Sequence, residues 1–303
     1  MLMKKFFLAM ALCVGFSGMA AVFSVGSIDK VNTPSRPDAT VVGISPAGDY
    51  LLLSTVANKG LQKFDLATSQ VQTLTDAAGA GLDAKISQDG NTIVYRETSY
   101  TSNHLRKVAV KQLNLATGEQ KQLVDPSRDV QGVAVSATSA MVVNKGKLST
   151  KAIGTAKADK STPMLSIKNR QLMLTRNGKT SVFSPNGKQY SYIWESVSPD
   201  GSKALYYVCG VGAFVCDLDG NHVKALGQLR APVWYDNNTV VGMHDIDDGH
   251  SIVSSEIVAA TLDGDRQVLT DESVIAMYPQ ASAASGKIAF STPAGEAYII
   301  NVK

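Results

Sequence analysis

Of the 303 residues, 29 are Lys or Arg and 26 are Asp or Glu, so the formal charge is +3 and no block of like charge stands out. That near-neutrality excludes the basic stripe with which proteins track a phosphate backbone, and nucleic acid is not an expected partner. Four histidines and three cysteines leave little material for metal or acid–base chemistry.

The chain opens on an export pattern. Lys4 and Lys5 precede the apolar run Phe6 to Gly15, and Ser17-Gly18-Met19-Ala20 supplies a small-residue cleavage site. The run is shorter than the roughly 20 residues that a spanning helix needs, and no later stretch is long enough. Leu12 is too bulky for a lipoprotein signal ending at Cys13. The expectation is a signal peptide over 1–20, an exported protein in the periplasm or outside the cell, and one domain over 21–303. Cleavage removes two lysines and leaves 27 basic residues against 26 acidic ones.

Beyond the leader, one phrase recurs. Ser198-Pro199-Asp200-Gly201-Ser202-Lys203 is echoed by Ser87-Gln88-Asp89-Gly90-Asn91-Thr92 and by Ser45-Pro46-Ala47-Gly48-Asp49-Tyr50, and more faintly around Ser285-Gly286-Lys287. Each copy is a turn that runs at once into an apolar, aromatic-containing segment. Proline presets the turn angle and glycine tolerates the strained position. Self-similarity every 30 to 50 residues or so, in strand-turn units, reads as a propeller.

Within each unit a strand follows the phrase, and two more follow it. The first unit predicts strands at Tyr50–Thr55, Leu61–Leu66 and Gln70–Thr75; the second at Thr92–Arg96, Val108–Leu115 and Gln120–Val124. Later units predict Lys203–Val208, Ala213–Leu218 and His222–Leu226, then Thr239–Met243, Glu256–Leu262 and Arg266–Thr270. Period-two alternation marks these as half-buried strands, and helical periodicity is missing. The fold class is all-β.

Ser198-Pro199-Asp200-Gly201-Ser202-Lys203, Asp217-Leu218-Asp219-Gly220 and the ending Arg266-Gln267-Val268-Leu269-Thr270 resemble TolB-like and PD40-type (WD40-like) β-propellers, and the propeller part of dipeptidyl-peptidase-like proteins. The resemblance covers most of the chain after the leader and weakens between Ser136 and Ser191. It implies a propeller, with the motifs building turns and not ligand sites. Propellers of similar sequence type also include polysaccharide lyases that use a metal and histidines at the central mouth.

Clear units start near Gly43, Ala84, Trp194, Val233 and Ala281. The stretch Val133 to Ile193 holds strand-like runs at Val133–Val135, Met141–Val143, Gln171–Thr175 and Lys179–Phe183. Two short blades there give seven, favoured by the length of the stretch; one irregular blade gives six. The last unit ends on Tyr298–Val302 without an outer strand, whereas Val22–Ile28 is a strand without a unit. Pairing the two would close the ring and remove exposed edges.

No Gly-x-Ser-x-Gly elbow, His-Glu-x-x-His or Gly-rich phosphate loop is present, so the chain reads as more binding module than enzyme. The densest polar cluster runs His244-Asp245-Ile246-Asp247-Asp248-Gly249-His250, between the first two strands of its unit. Asp245, Asp247 and Asp248 offer oxygens that a divalent cation could use; otherwise this is a solvated hairpin loop, and no cofactor is expected. A second insertion, Glu97 to Lys107, carries Tyr100, Asn103, His104 and Arg106. Both insertions should rise from the same face as a recognition surface, because loops on a rigid scaffold carry binding. Cys209 and Cys216 flank Gly210-Val211-Gly212 and are a candidate cross-strand disulfide, with two buried free thiols as the alternative. Lys145, Lys147, Lys151, Lys157 and Lys160 form a solvated face. Trp194, Trp234, Tyr235 and Tyr278 near the blade starts are wedges, with some free to line the mouth.

The functional expectation is a non-catalytic scaffold in the cell envelope that binds a protein or peptide, with a glycan as the other ligand class. The alternative is a lyase-like, metal-using carbohydrate enzyme centred on His244 and His250.

Overall fold

The computed structural model describes residues 21–33, 38–153 and 157–303. The expected signal peptide lies outside the described residues.

The recurring phrase builds the same turn three times. In each copy a buried serine accepts hydrogen bonds from backbone N–H groups four or five residues on. Ser45 Oγ accepts from Asp49 N at 2.9 Å, Ser87 Oγ from Thr92 N at 2.9 Å, and Ser198 Oγ from Lys203 N at 2.9 Å. Gly48, Gly90 and Gly201 hold φ of +65°, +73° and +75°, a region that costs a side chain but not glycine. The turns also tie neighbours together. Tyr50 donates to Gly90 O at 2.8 Å, and Lys287 Nζ donates to Gly48 O at 2.8 Å.

Each phrase reverses an innermost strand into the second strand of its blade. Blade 1 is Ala39–Ile44, Tyr50–Thr55, Leu61–Asp65 and Val71–Thr75; blade 2 is Lys85–Ile86, Thr92–Tyr100, Arg106–Asn114 and Gln120–Ser127. Blades 3 and 4 have three strands each, Val130–Val135, Ser139–Asn144 and Lys147–Ala152, then Met164–Lys168, Gln171–Arg176 and Lys179–Val182. Blade 5 is Tyr192–Val197, Lys203–Val208, Gly212–Asp217 and Lys224–Gly227; blade 6 is Arg230–Trp234, Thr239–Asp247, Ile252–Thr261 and Arg266–Val268. Blade 7 is Met277–Ser282, Lys287–Ser291, Ala297–Val302 and, on its outside, Val25–Val31. The seven sheets are all antiparallel, and the irregular middle holds two blades. Among the described residues there is no α-helix, only a 3-10 turn at Ala283–Ser285.

The innermost strands touch in order around the ring, blade 7 meeting blade 1. One hydrophobic cluster fills each of the seven seams. Second strands are therefore buried on both faces. Leu51 and Leu53 face the seam with blade 7, and Leu52, between them, faces blade 2. That is why these strands read as continuous apolar runs, whereas outer strands alternate.

The ring closes as expected, with one shift. The N-terminal strand is Val25–Val31, three residues later than the run that marks it, and pairs antiparallel with Ala297–Val302, Ile28 opposite Ile300. Ser24 and Lys303 exchange two backbone hydrogen bonds of 2.9 Å. Among the described residues no strand covers the outer edges of blades 3 and 4, and exposed Lys147, Lys151 and Lys179 lie on them. Charged edge residues of this kind discourage strand addition.

Candidate binding funnel at the propeller axis

The innermost strands of blades 5, 6 and 7 share a departure from regular pairing. In each, two residues stand opposite one on the neighbouring strand: Trp194 and Glu195 against Tyr206, Ala231 and Pro232 against Gly242, Tyr278 and Pro279 against Phe290. The first residue of each pair is left-handed, with φ of +53° at Trp194, +45° at Ala231 and +55° at Tyr278. Ordinary side chains in that region cost about 1–3 kcal/mol each, and such strain persists where the surroundings impose it. Bulges re-aim side chains and cluster beside functional sites.

Here the bulges open onto a funnel of about 1000 Å³ at the propeller axis. Trp194, Glu195, Ala231, Pro232, Trp234 and Tyr278 line it. So do Val56, Ser251 and Pro293 from hairpins joining second to third strands. The funnel therefore opens on the face that carries those hairpins. Tyr278 is 40% exposed, which leaves its ring available to a ligand. Trp194 packs edge-on against Tyr207 at 5.2 Å, and the Arg230 guanidinium lies 5.8 Å from its ring centre.

The charges are distributed unevenly. Asp83 takes both nearby cations, Lys85 Nζ at 2.5 Å and Arg96 Nη2 at 3.1 Å. Among the described residues Glu195, half-buried in the wall, has no cation paired with it, and its carboxyl takes a hydrogen bond from its own backbone N–H. Burial, and then the Asp83 charge, push its carboxyl up to about 7, against the smaller pull of Lys85 and Arg96. Ser196 Oγ and Trp234 Nε1, on two of the lining residues, are buried without a hydrogen-bond partner.

The residues singled out from the sequence fall elsewhere. The two insertions are not loops: the strands of blades 2 and 6 run on into long hairpins, pairing Tyr100 with Arg106 and His244 with Glu256. Tyr100, Asn103, His104 and Arg106 are exposed at the tip of the blade 2 hairpin and none lines the funnel. His244 and His250 are exposed and also outside the funnel; only Ser251 and Ile252 of that hairpin reach it. The Asp245 side chain is 2% exposed and takes Arg230 Nη1 at 2.5 Å. Asp247 and Asp248 accept the backbone N–H groups of Gly249, His250 and Ser251 and form the turn. Among the described residues, no group of three or more His, Cys, Asp or Glu is arranged to hold a metal ion.

The disulfide expectation is corrected. Val208 pairs with Gly212, leaving Cys209 in the turn, while Cys216 pairs with Ala204. Five residues of strand, at about 3.4 Å each, separate the two levels, far beyond the roughly 7 Å limit between bridged Cα atoms. Both thiols are free, Cys209 exposed and Cys216 buried.

Of the blade-start aromatics, Trp194, Trp234 and Tyr278 line the funnel, and Tyr235 packs on Phe23 at 4.6 Å. Sequence reasoning passed over Glu195 and the bulges. Pro232 and Pro279 were the signal: proline inside a strand with neighbours belongs at an edge or a bulge.

No family model and no curated protein matches the sequence. Among solved structures, the chain is similar to a TolB from Agrobacterium tumefaciens, at 14% identity and TM-score 0.54, over 91% of this chain and 96% of that one. It also matches an oligogalacturonate lyase in complex with manganese, at 14% identity and TM-score 0.49, over 86% and 76%. An oligogalacturonate lyase from Vibrio parahaemolyticus matches at 14% and 0.45, over 85% and 76%. At these identities the likeness is one of fold. With seven sheets closed by an N-terminal strand, the chain is a seven-bladed β-propeller, the fold it shares with that TolB.

Proposed function

We propose that this chain is an exported, non-catalytic propeller that binds a segment of polypeptide from a cell-envelope protein at the mouth of its funnel. Export rests on the Met1–Ala20 pattern. One observation carries the binding role: three adjacent inner strands adopt the same strained bulge at one level and turn Trp194, Glu195 and Tyr278 toward a shared cavity. Blade 4 pairs there without a bulge, and the inner-strand bulges of blades 1 and 3, at Val41–Gly43 and Val130–Gly132, hold no left-handed residue. A cavity of this size with aromatic walls, a few polar groups and a rigid frame suits recognition. The exposed hairpins at Tyr100–Arg106 and His244–Ile252 would widen the contact around the mouth.

Photo-crosslinking tests this. Benzoylphenylalanine at position 278 should give polypeptide adducts with an envelope fraction. The same probe at position 147, on the outer edge of blade 3, should not. A folded probe protein that yields no polypeptide adduct from position 278 would count against the reading.

A further inference from the structure

A second cavity, of about 730 Å³, lies in the seam between blades 2 and 3, on the same face as the funnel. Lys145, in the turn between the second and third strands of blade 3, lines one side, and the connection Arg128-Asp129 between the blades lines the other. Two hydrogen bonds join these sides. Lys145 N donates to Asp129 O at 3.1 Å, and Ser127 Oγ donates to Asn144 Oδ1 at 2.8 Å. Buried Ser127 also accepts from Asp129 N at 3.2 Å, so its own proton is committed to Asn144 Oδ1 and the two amide N–H groups of Asn144 face away from it. Among the described residues nothing accepts from those N–H groups.

The charges in this seam do not cancel. Lys107, Arg128, Lys145 and Lys147 line it against Asp125 and Asp129, a net charge of +2. Among the described residues none of these four cations has an ion pair or a side-chain hydrogen bond, and Asp125 accepts from Gln122 Nε2 instead. Lys30, Lys85, Lys111, Arg176 and Arg230, elsewhere in the ring, are all paired. Lys145 is also held at a position that does not suit lysine. Its turn has φ of +54° at Lys145 and +74° at Gly146, and the matching turn of blade 4 has +51° and +74° on Asn177-Gly178. Asparagine fits that left-handed position, whereas lysine strains it.

We propose that this seam binds a phosphate monoester, with Arg128, Lys145 and the Asn144 amide on the phosphoryl oxygens and Leu123 and Leu148 against the organic body. The site stands apart from the polypeptide reading of the funnel. Its net charge matches a group that carries about −1.5 to −2 near neutral pH and offers three strong acceptor oxygens. The arginine fork suits such oxygens. The volume falls within the roughly 300–1000 Å³ of small-molecule sites, which leaves room for a body beyond the phosphate. A dense polyanion would set further charges beside Asp125 and Asp129 and is disfavoured. A soluble ester and a lipid headgroup share this chemistry, and the test separates them.

The protein is titrated by calorimetry with glucose 1-phosphate, glucose, succinate and glucose 6-sulfate. Glucose 1-phosphate should bind about tenfold or more tighter than the other three, the scale of one charge-assisted contact. K145N, which copies the blade 4 turn, and R128Q should keep the melting temperature and each lose about tenfold in affinity. Affinity for glucose 1-phosphate should rise between about pH 5 and 7, as the ester loses its second proton near pH 6; glucose 6-sulfate, a monoanion throughout, should show no such rise. Phosphatidylcholine vesicles with and without phosphatidic acid then identify the source. Retention on phosphatidic acid vesicles alone, lost in K145N and R128Q, with no binding of glucose 1-phosphate, would assign the phosphate to a lipid headgroup. Failure of both phosphate probes to bind would overturn the proposal. So would succinate bound as tightly as glucose 1-phosphate, or wild-type affinity in both K145N and R128Q.

Discussion

Replacing Phe23 by alanine should loosen the closure of the ring at a defined place. Phe23 is 8% exposed and packs among Val241, Met243, Ile257, Ile288, Phe290 and Ile300, in the seam between blades 6 and 7. Its backbone is held at both ends by one side chain, Phe23 N donating to Gln267 Oε1 at 2.8 Å and Gln267 Nε2 donating to Phe23 O at 3.1 Å. The strand it anchors, Val25–Val31, is exposed along almost its whole length and is otherwise held by its ladder with Ala297–Val302, the Lys30–Glu296 ion pair, the bonds from Asn301 to Ser27 and Asp29, and the packing of Val31 at its end. Phe→Ala in a core costs about 3–5 kcal/mol. The site lies at the end of a seam where water can refill the space, so the lower end, about 3 kcal/mol, applies. At roughly 2–4 °C per kcal/mol for domains approaching this size, the melting temperature should fall by about 6–12 °C. Hydrogen exchange should show the cause. Amides of Ala297–Val302 that point at the N-terminal strand should lose protection, while those bonded to Lys287–Ser291 keep it. A shift below about 2 °C, with unchanged exchange in Ala297–Val302, would refute the closure argument.

Gly242→Ala should be costly although glycine has no special angle there. A Cβ would meet Leu229 Cγ at 2.5 Å and Arg230 O at 3.0 Å, because the blade 6 bulge crowds its partner strand; calorimetry should show a loss of about 1–3 kcal/mol, the range for overpacking. Thiol titration of native protein lacking residues 1–20 should find Cys209 reactive and Cys216, pushed up to about 12 by burial, silent until unfolding. Two thiols silent in denaturant without reductant would contradict the register. Between the ordinary carboxyl value of 4.5 and about 7, native Glu195 holds more proton than it does in the unfolded chain. Stability should therefore fall as pH rises through that window, by linkage. E195Q should lack that component of the pH dependence; parallel wild-type and E195Q profiles would contradict the environment assigned to Glu195.

Much of the fold was legible locally. The Ser-Pro-Asp-Gly phrase encodes its own turn, because the serine hydroxyl and the glycine angle act within six residues. Strands Tyr50–Thr55 and Lys203–Val208 occur as expected from their apolar runs. Met164–Lys168 was missed, since Met-Leu-Ser-Ile-Lys follows no turn phrase and pairs only through a hairpin at Asn169 and Arg170, both at positive φ. The hairpin arms of blades 2 and 6 read as loops because Glu97–Tyr100 and His244–Asp247 are polar. They stay paired as strands beyond the packed part of the blade, where apolar character is no longer required. Cys209 and Cys216 looked adjacent because the turn position was misjudged, and a shift of register relocates every partner.

The sequence by itself determined the all-β class, the repeat, the turns and the strand left over at the N-terminus, all of which depend on neighbours a few residues apart. Tertiary structure alone decided the funnel. Glu195 and Asp83 are more than a hundred residues apart in the chain and meet only because seven blades close a ring. The left-handed angles at Trp194, Ala231 and Tyr278 have no cue in their own side chains; the packing of adjacent blades imposes them.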